Sequence, residues 1–214
     1  MKGQRMRVVL FLLLFASGLS AQENRAGSFD YYVLALSWSP TWCALEGDRR
    51  GAAQCDSSAD FGWVLHGLWP QYDRGWPEHC QTAESPPTRA MTREMADIMG
   101  SSGLAWHQWK KHGACSGLPS ADYYAQARAA FARVNRPDVF RKLRTSVRLP
   151  ASVVEAAFLK ANPGWTPDML TITCRDGRIE EVRLCLSRTL RPAPCGRDVV
   201  RDCAQDRAIL DPIP

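Results

Sequence analysis

No apolar run in this chain approaches the roughly 20 residues that a helix needs to cross a bilayer. The run at residues 8–15 is far too short, which argues against a retained membrane anchor. Surplus charge is scarce as well: 27 lysines and arginines stand against 22 aspartates and glutamates in 214 residues. Gripping duplex nucleic acid by its phosphates alone takes a strongly basic surface, so any nucleic acid bound here must sit in a local cleft. No two cysteines have the close spacing of a zinc ribbon. His107 and His112 are five apart and lack the glutamate of a helical zinc-protease pair. A resident metal is therefore not expected. Internal repeats, low-complexity segments and a convincing interdomain linker are also missing, so residues 22–214 read as one domain with a substantial core.

What the chain does carry at its start is Lys2, Arg5 and Arg7, then the short apolar run, then small residues up to Ala21. This is the pattern of a secretory signal, and residues 1–21 are expected to be removed. Leu19 is bulky for the position three before a cut after Ala21, so cuts after Gly18 or Ser20 stay open. Removal discards three basic residues and no acidic one, leaving 24 against 22. All eight cysteines, at 43, 55, 80, 115, 174, 185, 195 and 203, follow this segment. Export to a periplasm or out of the cell offers an oxidising compartment, so four disulfides are expected. Eight cysteines admit 105 pairings, and spacing does not choose among them.

Residues 31–38 are a compact β-prone run ended by Ser39-Pro40, expected as a central strand. A polar loop spans residues 43–55, a second strand leads to His66, and a loop rich in glycine, proline and aromatics covers 71–87. Helices are expected over 88–99 and 104–112, and over 121–134 with Ser120 as its cap. A short helix is expected over 138–144, and Ser152 with Glu155 matches a capping box opening a helix over 153–161. Residues 170–174 and 179–186, joined by Asp176-Gly177, read as a β-hairpin. Strands at both ends with helices between them indicate an α+β fold: a central, mainly antiparallel sheet flanked by helices and braced by disulfides.

Three of the four histidines fall in two chemically dense segments. In the first, a β-branched and aromatic strand delivers His66 to a turn broken by Gly67. In the second, His107 and Lys111 are four apart, as are Gln108 and His112, so a short helix presents all four on neighbouring stripes before Gly113 ends it. Two imidazoles and a lysine, with no acidic triad member in either segment, suit phosphoryl transfer to an internal hydroxyl. One imidazole takes the proton of a ribose 2′-hydroxyl while another protonates the leaving 5′-oxygen, each transfer contributing about 10²- to 10⁴-fold. A lysine stabilises the crowded phosphate, and a third imidazole holds it in line. DNA lacks the attacking hydroxyl and would be left uncut.

The segments Trp63-Val64-Leu65-His66-Gly67-Leu68-Trp69-Pro70 and His107-Gln108-Trp109-Lys110-Lys111-His112-Gly113-Ala114-Cys115 resemble the two active-site signatures of the ribonuclease T2 family of secreted acid ribonucleases. The likeness extends to Ser37-Trp38-Ser39-Pro40, Cys43 and Cys174, and to Glu181-Val182-Arg183-Leu184-Cys185-Leu186. It implies His112 as general base, His66 as general acid, His107 as phosphate binder and Lys111 as stabiliser of the phosphorane-like state. It implies single-stranded RNA as substrate and no metal or other cofactor. The products would be a 2′,3′-cyclic phosphate, opened more slowly to a 3′-phosphate, and a 5′-hydroxyl. It also implies the pairs Cys43–Cys55, Cys80–Cys115, Cys174–Cys203 and Cys185–Cys195. One position departs from the family pattern: Gln108 stands where relatives usually have glutamate, and an amide cannot supply a carboxylate's charge.

Trp69 is a candidate for stacking on a base, with Tyr72, Trp76 and Trp106 as second-rank candidates. Trp38, Trp63 and Trp109 read as core, while His79 and Lys110 read as solvated. The basic residues 128, 133, 136, 141, 142 and 144 read as a solvated helical face. The expected protein is a monomer with no membrane anchor. The rival class is an exported RNA- or protein-binding, toxin-like protein that keeps the nuclease fold, with Gln108 marking weakened catalysis.

Overall fold

The computed structural model describes residues 24–214, so the expected signal at residues 1–21 lies outside the described residues. Six strands form one sheet: β1 (Tyr31–Trp38), β2 (Trp63–Gln71), β3 (Val147–Leu149), β4 (Leu170–Arg175), β5 (Arg178–Ser187) and β6 (Ala208–Leu210). They run in the order β2-β1-β5-β6-β3, with β4 pairing on β5 across the Asp176-Gly177 turn. Every pairing is antiparallel except a short parallel contact between β5 and β6.

The period of two in β1 divides the molecule. Tyr32, Leu34, Leu36 and Trp38 enter the main core, where they meet helical residues such as Met99, Trp109, Tyr123 and Phe158. Tyr31 and Val33 point the other way, into a smaller cluster with Cys185, Val199 and part of Trp69. Ala35 and Ser37 continue that second row, and it becomes the floor of the site. Trp38, Trp63 and Trp109 are buried in the main core as expected.

The helices are α1 (Ser39–Trp42), α2 (Arg89–Glu94), α3 (Ala96–Met99), α4 (Ser102–Lys111), α5 (Ser120–Arg133) and α6 (Ala151–Ala161). Four expected helices differ from the sequence reading. The helix expected over 88–99 is broken at Met95, where the Arg128 guanidinium takes the Glu94 carbonyl at 2.7 Å and both oxygens of Asp97 at 2.8 Å. Ser120 is the first residue of α5 and caps nothing, because Pro119 occupies the cap position. Likewise α6 begins at Ala151 after Pro150, so Ser152 and Glu155 lie inside it and the capping box does not form. The expected helix over 138–144 is a 3₁₀ segment, Asp138–Lys142. By contrast α4 is capped by Ser101, whose Oγ accepts from the Leu104 amide at 3.1 Å.

The expected turn at Gly67 is a β-bulge. β2 runs on to Gln71, and the β1 register passes from Ala35 opposite Gly67 to Leu36 opposite Leu65, leaving His66 as the extra residue. A bulge bends its strand and re-aims the unpaired side chain.

Four disulfides join Cys43–Cys55, Cys80–Cys115, Cys174–Cys203 and Cys185–Cys195, the same pairs that the resemblance implies. The second ties the loop after β2 to the 3₁₀ segment after α4, spanning 35 residues. Backbone bonding from His79 to the Lys111 carbonyl at 2.8 Å reinforces that closure. Closing a loop of this size contributes about 4 kcal/mol in the chain-entropy model. Replacing Cys80 and Cys115 together with serine is therefore expected to lower the free energy of unfolding by about 3–4 kcal/mol in denaturant titrations. A loss below about 1 kcal/mol would show that the tie is redundant.

Candidate active site

His66 leaves β2 at the bulge and reaches across β1 to β5, where its Nδ1 meets Oε1 of Glu181 in a short hydrogen bond. Two strand spacings separate β2 from β5, roughly 10 Å. The crossing is possible because the β1 residues under it are small: Ala35 stands opposite Arg183, and Ser37 stands opposite Glu181. Ser37 Oγ donates to the same carboxylate at 3.1 Å. Arg183 closes the other side, with Nε and Nη2 each 2.9 Å from Oε2.

Glu181 is 3% exposed. Burial alone would push its carboxyl up, but the His66 imidazole and the Arg183 guanidinium outweigh that and hold it down at about 2. An ionised carboxylate only accepts hydrogen bonds, so His66 donates from Nδ1 and presents Nε2 to the cleft.

His112 has the opposite environment. It ends α4, is 6% exposed, and its buried Nδ1 has no hydrogen-bond partner among the described residues. Burial first, then the nearby Lys111, His66 and His107, lower its pKa to about 3. A helix C-terminus favours an imidazolium by at most about 2 kcal/mol. Here desolvation, joined by the neighbouring Lys111 and histidines, outweighs the helix end. Burial, with Lys111 and Lys110, also lowers His107, which lies one turn earlier on α4.

Trp69 connects the two imidazoles. His112 stacks on its indole at 28° with centroids 5.1 Å apart, and His66 meets it at 79° and 5.2 Å. The Arg183 guanidinium carbon lies 5.3 Å from the same ring. Gln108, buried on the inner face of α4, accepts the Trp69 Nε1–H at 2.7 Å and fixes the indole. Gly67 makes room for this bond: a Cβ there would come within 2.3 Å of both Gln108 Oε1 and Trp69 Nε1.

His66, Trp69, His107, Gln108, Lys111 and His112, the six residues singled out in the two signatures, line one cleft of about 470 Å³, with the half-exposed Trp76 and the β5 residue Arg183. The Lys111 ammonium lies at its rim, 3.6 Å from Glu78. A second cleft of about 690 Å³ adjoins the first, shares His66 and His107 with it, and does not include His112. His79 and Lys110 are exposed, as expected. Among the described residues, one group has spacing suited to a metal, Cys43, Asp48 and Cys55, and its sulfurs are consumed in a disulfide.

Sequence reasoning gave no role to Glu181 or Arg183. The available signal was a pair of carboxylates, Glu180 and Glu181, set between the apolar Ile179 and Val182 of a strand, where one of the two must face inward.

The fold is thus a disulfide-braced α+β sheet that collects two differently environed imidazoles and a lysine in one cleft. The chain belongs to the Ribonuclease T2 family, whose match covers residues 29–195. It is 46% identical over 123 residues to a ribonuclease of Aeromonas hydrophila, covering 56% of this chain and 54% of that protein. A probable ribonuclease of Haemophilus influenzae is 30% identical over 128 residues, covering 54% of this chain and 47% of that protein. The chain thus spans about half the length of these two relatives. The RNase-related protein from Calystegia sepium shares the fold with a TM-score of 0.64 at 18% identity, covering 87% of this chain and 98% of that one.

The two buried groups set a stability profile. A histidine near 6.5 when unfolded and about 3 when folded binds its proton more readily in the unfolded chain, so stability falls as pH drops below about 6.5. Glu181 adds a second loss as pH falls from about 4.5 towards 2. Between pH 6.5 and 4.5 the His112→Gln variant should lose less stability than the parent, by up to about 1.4 kcal/mol per pH unit in urea unfolding. Parallel curves across that window would refute a neutral buried His112.

Proposed function

We propose that this protein is an exported, monomeric endoribonuclease that cleaves single-stranded RNA by transesterification, with no metal in the reaction. The observation that carries this reading is the contrast between His112, desolvated and unpartnered at Nδ1, and His66, tied at Nδ1 to a buried carboxylate, in one cleft. Groups whose surroundings differ in this way divide naturally into base and acid.

His112 Nε2 removes the 2′-hydroxyl proton, and the oxygen attacks phosphorus. His66 Nε2 gives its proton to the departing 5′-oxygen, leaving a 2′,3′-cyclic phosphate and a 5′-hydroxyl. Lys111 and His107 face the charge that develops on the phosphate oxygens. Water then opens the cyclic ester with the two imidazoles in exchanged roles. Glu181 and Arg183 hold His66 in the tautomer this requires. Gln108 acts through Trp69, so the missing charge at position 108 leaves a positioning contact intact.

The two clefts give the site a direction. The nucleotide whose 2′-hydroxyl attacks sits in the first cleft beside His112, and the departing nucleotide sits in the second, on the His66 and His107 side. Base contact falls to Trp69, partly exposed in the first cleft, and Trp76, 52% exposed, offers a second ring in the same cleft. Export is supported by the signal pattern and the four disulfides. Among the described residues no helix is long and apolar enough to cross a membrane.

With EDTA present, the oxidised protein should convert RNA to fragments ending in cyclic phosphate and leave DNA intact. Loss of all cleavage in EDTA, equal attack on DNA, or a stoichiometric RNA complex without turnover would overturn the reading. His66→Ala and His112→Ala should each lower kcat by about 10²- to 10⁴-fold while the disulfides still form. Because His112 stays neutral down to about pH 3, cleavage should persist at pH 4–5. An activity that collapses below pH 6.5 would contradict the assigned base. Glu181→Gln should lower kcat by about tenfold or more with little change in KM, since its effect is on His66 orientation.

A further inference from the structure

Resting on the reading above, we infer that the RNA track continues past the departing nucleotide onto a stacking and phosphate-binding face formed by Trp106, Arg89 and Arg93. This face receives the 3′ portion of a longer substrate. A depression of about 520 Å³ lies between α2 and α4, lined by Pro87, Arg89, Thr92, Arg93, Gly103 and Trp106, together with Ser102. It shares Gly103 with the second cleft, so the two run into each other along α4.

The helix geometry makes the passage continuous. Gly103 lies three residues before Trp106 and four before His107, so it sits between the stripe facing the reaction and the stripe facing the depression. A Cβ on Gly103 would meet nothing within 4 Å, which leaves the crossing unobstructed. Trp106 is 37% exposed, an uncommon state for an indole on a helix that buries Ala105, Gln108 and Trp109. Arg89 and Arg93 are exposed, lie four apart on α2 and form no ion pair among the described residues. The depression has two cations and no carboxylate in its lining, which suits a polyanion. An exposed indole beside unpaired arginines is the pairing that holds single-stranded nucleic acid without regard to sequence, bases on the ring and phosphates on the cations.

The departing side of the scissile bond reaches this face, because the second cleft adjoins it and the first does not include Gly103. Substrates extended at the 3′ end should therefore gain from it, and substrates extended at the 5′ end should not.

The test compares kcat/KM for a dinucleoside monophosphate with that for two hexanucleotides, one carrying its extra residues 3′ of the cleaved bond and the other 5′. Trp106→Ala and the Arg89→Ala, Arg93→Ala pair should each lower kcat/KM on the 3′-extended substrate by roughly five- to fiftyfold, mainly through KM. Both should leave the dinucleotide and the 5′-extended substrate within about twofold. The arginine pair should also flatten the salt dependence on the 3′-extended substrate. Equal losses on all three substrates would place the effect in the fold or the reaction centre, and no loss on any would show that the face serves something else, such as a protein partner. Either result overturns the inference. If the parent protein cleaves none of the substrates, the nuclease reading fails. Fluorescence anisotropy with a labelled single-stranded hexanucleotide then still decides the track, since Trp106→Ala must weaken binding at least fivefold for it to stand.

Discussion

A carboxylate sealed inside a sheet is costly unless strong hydrogen-bond donors meet it, and Glu181 is held by two basic side chains. Arg183 comes from its own strand, two residues on, and His66 comes from two strands away. The second contact shapes much of the site. It needs a bulge in β2 to free His66 from the ladder, small residues on β1 beneath the imidazole, and a glycine at 67 so that Trp69 and Gln108 can close over the result. Removing one partner from such a cluster is far more damaging than never having built it, because the remaining charge is stranded. The sheet centre is thus committed to holding one histidine in one orientation.

His112 is governed by the reverse strategy. Among the described residues no side chain or backbone group hydrogen-bonds its Nδ1, the opposite of the tether that holds His66. Burial at the end of α4 prevails over the helix dipole and keeps the ring neutral in acid. Rigid neighbours make this tolerable: the Cys80–Cys115 bond fixes the chain just beyond the ring, and Trp69 covers its face.

Much of this was legible in the residues. β1 is central because residues 31–38 alternate between two apolar faces, and α4 presents His107, Gln108, Lys111 and His112 in the rows that spacings of four require. Both capping arguments failed: Ser120 and Ser152 cap nothing, because a proline already stood at each entry. The caps that do form, at Thr88 and Ser101, were not anticipated. Local chemistry also could not foresee the break at Met95, which depends on Arg128 arriving from α5. The bulge was missed for a related reason: it is a property of register between two strands, and Gly67 read in isolation signals a turn. Glu181 was quoted as part of a motif without a role, since its partner is 115 residues away in sequence. Gln108 showed the converse, a departure that looked electrostatic in the sequence and proved to be a hydrogen bond to an indole.

Trp69 has one further consequence. Both imidazoles pack on it, yet no hydrogen bond joins them among the described residues, and an indole ring has no lone pair with which to relay a proton. Side chain to side chain, the two imidazoles have no direct path for a proton among the described residues. They share a cleft rather than a bond, so a guest lying across that cleft can touch both while neither touches the other.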